Sequence, residues 1–120
     1  MSSLDEQAKL AAERVDSTAV GFDPLTILTI ITQVLPLLMS CFNRNDEPNP
    51  SLVQASFKRY CQSQPKAAHR RTARRIRAEA HEPMTKSQSM DLAKAVIDQA
   101  LSVDPETAMA CATEAGKDLH

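Results

Sequence analysis

Apolar positions along the chain change their spacing from one segment to the next, and each spacing predicts an element. Leu4, Ala8, Ala11 and Val15 recur every three or four positions, which places them on one narrow helical face. Ser3 and Glu6 form an S-x-x-E pattern, in which each side chain can satisfy a free backbone N–H of the first turn. DSTAVGF, residues 16–22, reads as a linker with Gly21 as the breaker. From Pro24 to Asn43 the periodicity gives way to a run of 20 residues without a charge. Asp23-Pro24 starts it as a helix, since Asp offers a cap oxygen and Pro at the first position loses no needed donor. Such a helix is about 30 Å long. Pro36 cannot donate to the carbonyl of Thr32, so a kink is expected there.

Asn43–Asn49 breaks the chain with prolines, asparagines and charges. Asn49-Pro50 opens a further helix in which Val53, Phe57, Tyr60 and Cys61 share a face, and Pro65 marks its end. KAAHRRTARRIRAEAH is helical by composition up to Glu82-Pro83. In residues 88–103 the pairs Leu92/Ala93, Val96/Ile97 and Ala100/Leu101 repeat every four positions, a strong amphipathic pattern. Asp104-Pro105 starts a last helix, with Glu106 in its first turn and Gly116 as the expected stop. The short connection predicts that helices 88–103 and 105–115 form a terminal αα-hairpin. The fold class is therefore all-α. Residues 1–43 hold a short helix and a long kinked hydrophobic helix, 44–49 is a linker, and 50–120 is a basic helical domain.

Composition sharpens this picture at one point. The chain has 120 residues, no Trp and four Phe or Tyr in all, and much of its apolar content is Ala. The remaining core is thin if 24–43 lies outside it, and thin cores need a partner or a staple, so a homo-oligomer is expected. Cys41, Cys61 and Cys111 show neither CxxC spacing nor a Cys/His cluster, and read as reduced thiols. No cofactor or metal is expected.

Charge is uneven although the formal net is −1. Residues 1–23 carry five acids against two bases, while 48–78 hold eight bases and no acid. Lys66, Arg70, Arg71, Arg74, Arg75 and Arg77 wind around one helix, with Arg70, Arg74 and Arg77 in one row and Arg71 and Arg75 in the next. Ile76 is the sole large apolar residue there, so the helix is expected to bury poorly in a monomer. Like charges at i,i+4 repel, and a polyanion relieves them. Nucleic acid bound without sequence preference, or anionic lipid, fits that face. No zinc finger or ribonucleoprotein aromatic pair accompanies it.

The uncharged run admits a membrane span or a core or subunit-interface helix. Its length suits a bilayer, and acid before with base after suits a span whose C-terminal side is cytoplasmic or virion-interior. The acidic leader argues against a cleaved signal. Thr26, Thr29, Gln33 and Ser40, with Pro36 between, fall on one polar stripe that could line an oligomer or pore. The alternative for the stripe is that its Thr hydroxyls bond back to their own helix.

His69, His81 and His120 have no nucleophile and orienting carboxylate placed near them by the sequence, so an enzyme is not expected. The preferred expectation is a self-associating, membrane-inserted or membrane-apposed structural component whose basic helix contacts nucleic acid or anionic lipid. A small phage-type virion or conduit protein would combine these features. The alternative is a soluble oligomeric nucleic-acid-binding or scaffold protein in which 24–43 is a core or interface helix.

Overall fold

The computed structural model describes residues 4–39, 50–80 and 83–118, and these are mostly helical, with no strand among them. The order is α1 (Leu4–Glu13), α2 (Ser17–Val20), α3 (Pro24–Met39), α4 (Pro50–Ser63), α5 (Pro65–Glu79), α6 (Lys86–Ser102) and α7 (Pro105–Asp118). Helix starts follow the cap chemistry of the sequence. The Asp23 carboxylate accepts from the Thr26 N–H at 2.7 Å. That of Asp104 accepts from the Thr107 N–H at 2.9 Å and from its hydroxyl at 2.6 Å. These bonds hold both carboxyls below the ordinary Asp range, because they favour the charged form. Ser3 of the expected capping box and the linker 44–49 lie outside the described residues.

α3 is the centre of the molecule. Its Ile27, Ile30, Ile31, Val34, Leu35 and Met39 are buried, together with Leu4, Ala8 and Ala11 of α1, Ala73 and Ile76 of α5, Leu92, Ala93, Val96 and Ala100 of α6, and Ala108 and Cys111 of α7. One cluster thus joins residues from both sides of 44–49. The uncharged segment is taken up as a core helix over its described part, Pro24–Met39, rather than left free for lipid. Among the described residues no helix is long and apolar enough to cross a membrane. α3 runs through Pro36, which is half-buried.

Three further expectations are corrected. The linker 16–22 contains a helical turn, because Asp16 Oδ1 accepts from the Thr18 and Ala19 N–H groups and caps Ser17–Val20. Gly21 ends it at φ 87°, a left-handed conformation that glycine enters without Cβ strain. The strongest helix pair is α5 with α6, not α6 with α7, and α7 lies mainly on α3 and α4. Arg77 meets Ser89 at one end of the α5–α6 pair, and Ala68 shares a cluster with Ile97 at the other, so the two helices run antiparallel. The physical reason is Val103. Its extended backbone (φ −77°, ψ 152°) turns the chain away from α6 before Asp104 caps the next helix. α7 also passes through Gly116 to Asp118 instead of stopping there.

Polar pins fix the helices in this arrangement. Thr85 and Gln88 form a capping box at α6, and the Gln88 amide donates onward to the Val20 carbonyl at 2.8 Å, tying the end of α2 to the start of α6. Gln99, 4% exposed, donates to Gln7 Oε1 at 2.5 Å and accepts from Arg14 Nε at 2.9 Å. The same Arg14 donates to Ser102 Oγ at 2.9 Å. Gln54 of α4 donates to the Val103 carbonyl at 2.5 Å.

Candidate polyanion-binding site

α5 carries six cations and one acid. Pro65 at its first turn costs no donor, and Ala80 is extended at its end, donating its N–H to the Ile76 carbonyl at 2.9 Å. Lys66 and Arg70, Arg70 and Arg74, and Arg71 and Arg75 are like charges at i,i+4, each pair opposing the helix by about 0.2–0.5 kcal/mol. Packing supplies what intrinsic stability lacks. Ala68, Thr72, Ala73 and Ile76 are buried on one stripe. The sequence led us to expect that this helix would bury poorly, and the structure corrects that. Small side chains let α5 lie close on α6, so one large residue suffices for a closed interface.

The cations lie opposite that stripe. Lys66, Arg70, Arg71, Arg74 and Arg75 are exposed and Arg77 is half-buried. They are not equivalent. Arg77 donates to Ser89 Oγ at 2.7 Å, and the Ser89 hydroxyl donates to the Lys86 carbonyl at 2.9 Å, so this guanidinium fastens α5 to α6. Arg75 Nε lies 3.6 Å from Glu79 Oε1, an exposed pair. No acid among the described residues lies within ion-pair distance of Lys66, Arg70, Arg71 or Arg74. Arg70 Nε makes one long bond to the Lys66 carbonyl, 3.4 Å. His69 places Nδ1 2.6 Å from the Pro65 carbonyl, so that ring braces the first turn. On α4, Lys58 and Arg59 are exposed as well.

The polar stripe of α3 has a different fate. Thr26 and Gln33 are half-buried and Thr29 is exposed, on the side opposite the core, and Ser40 lies outside the described residues. Thr29 Oγ1 donates to the Leu25 carbonyl at 2.9 Å and Thr32 Oγ1 to that of Leu28 at 2.7 Å. Thr29 of the stripe, and Thr32 beside it, are thus satisfied by their own helix.

Cys61 and Cys111 are free and buried, and burial pushes both thiols up. Sequence reasoning missed the Gln7–Gln99–Arg14 pin. Its signal was present, because Gln7 stands three residues after Leu4 and Gln99 three after Val96, each on an apolar stripe. No protein-family model matches the chain, and no curated protein or solved structure matches it.

Proposed function

We propose that this chain is a non-catalytic helical module that binds nucleic acid through phosphate contacts from the outer face of α5, with Pro24–Met39 as its core helix. One observation carries the reading: a half-cylinder of exposed cations, held outward by a buried stripe on the other side, with a single acid on the same helix. Guanidinium groups bind phosphate bidentately, and the repulsion stored among them is relieved when phosphates replace counterions. Anionic lipid is the weaker partner. A helix that docks on a bilayer turns large apolar residues toward it. The one such residue of α5, Ile76, is 0% exposed. A membrane-inserted or conduit-lining role would require α3 to leave the core, taking Ile27, Ile30, Ile31, Val34, Leu35 and Met39 with it. Burial of α3 by the chain's own helices also means that the proposal does not depend on self-association.

The test is fluorescence anisotropy at low salt with labelled duplex DNA, single-stranded DNA and duplex RNA of mixed sequence. The triple variant Arg70→Glu, Arg71→Glu, Arg74→Glu is compared with the native chain, and circular dichroism confirms its helix content. Native protein should bind at least one probe, and the variant should lose that binding by well over tenfold. No binding to any of the three, or equal binding by the variant, would sink the proposal. Retention on phosphatidylserine vesicles without nucleic-acid binding would assign the face to lipid instead.

A further inference from the structure

We infer that α5 docks lengthwise in the major groove of B-form duplex DNA, with arginines on its two shoulders clamping opposite phosphate strands; this rests on the nucleic-acid reading above. The placement of the cations around the helix is the first support. At about 100° per residue, Lys66 and Arg70 fall on one shoulder and Arg71 and Arg75 on the other, about 140° apart, while Arg77 stays engaged with Ser89. The ridge between them, facing away from α6, is formed by Ala67, Arg74 and Ala78. A ridge that is two-thirds alanine is a helix edge slim enough to enter a groove, and Arg74 alone reaches from it toward base edges.

Dimensions agree. Fifteen residues make α5 about 22 Å long. An α-helix with its side chains is about 10–12 Å across, and the B-form major groove is about 12 Å wide. The Lys66–Arg70 shoulder and the Arg71–Arg75 shoulder then meet the two walls of one groove. Positioning of this kind carries little sequence information, because contacts to phosphate fix register without reading bases.

Other nucleic acids fit less well for stated reasons. Single strands are held by aromatic platforms on which bases stack. The chain has no Trp, and α5 has no Phe or Tyr. On α4, Phe57 and Tyr60 are half-buried against Cys61, Ala68 and Ile97, and the Tyr60 hydroxyl is itself buried. Duplex RNA has a major groove too deep and narrow for a helix to enter. Of the three, B-form DNA is the one that offers a groove of this width, with one phosphate charge per about 1.7 Å of axis along its walls.

The experiment competes the three probes against one another on the full chain. Duplex DNA should bind at least about tenfold more tightly than single-stranded DNA or duplex RNA. Four phosphate contacts predict a slope of about −4 in log affinity against log salt concentration. Methyl green, which occupies the major groove, should displace the protein, and netropsin, which occupies the minor groove, should not. Ala78→Glu places a carboxylate on the ridge and should abolish binding, whereas Thr18→Glu, the same charge change on α2, should cost only the small loss expected from net charge. Equal affinity for all three nucleic acids, displacement by netropsin alone, or unimpaired binding by Ala78→Glu would overturn the groove inference while leaving nucleic-acid binding intact. Absence of binding to every probe would remove both.

Discussion

Replacing Leu35 by Ala separates a core helix from one that only leans on the protein. Leu35 is 0% exposed and shares its cluster with Ile31, Met39, Ile76, Leu92 and Val96. The substitution removes the equivalent of about three methylene groups, worth roughly 2.4 kcal/mol in transfer free energy. The surrounding α1, α5, α6 and α7 collapse only partly onto the space, so the cavity raises the total to about 3–4 kcal/mol. A domain of this size has about 5–15 kcal/mol in all, so the loss is a large part of its stability. Leu25, on the same helix, is 72% exposed, and its replacement by Ala should cost less than about 1 kcal/mol. Urea unfolding followed by helical circular dichroism measures both. The midpoint should fall strongly for Leu35→Ala with an unchanged slope, and barely move for Leu25→Ala. Equal effects of the two substitutions, or a larger one at Leu25, would mean that α3 does not present this face to the core.

The buried pin between α1 and α6 predicts non-additivity. Gln99→Leu strands Gln7 in the core and takes an acceptor from Arg14, costing about 1–3 kcal/mol, and adding Gln7→Leu should recover part of it; purely additive losses would deny the coupling. The helix caps predict an acid limb. Asp23 and Asp104 have folded pKa values below their ordinary 3.8, so their contribution is complete above that value and is lost as pH falls through the lower folded one. The double variant Asp23→Asn, Asp104→Asn should flatten the fall in urea midpoint below about pH 4, and an unaltered acid limb would refute the assignment.

Much of the fold was legible along the chain because its determinants are local. Asp-Pro starts, the periodicity of 88–103 and the row of arginines depend on neighbours within a turn or two, and the helices appear where those patterns stand. The basic face could be read for the same reason, since one helix carries all of it. What the sequence left open was what each helix lies against. The uncharged run of 24–43 suited lipid and protein alike, because both are apolar, and only the tertiary structure shows other helices of the chain packed around Ile27–Met39. The partner of α6 was misplaced because loop length says how near two helices begin and not where the connecting backbone aims them. Val103 sends α7 onto α3 and α4, and α5 takes its place beside α6. A single long-range bond such as Arg77 to Ser89 has no periodic signature, so the division of the arginines into fasteners and free cations belongs to tertiary structure alone.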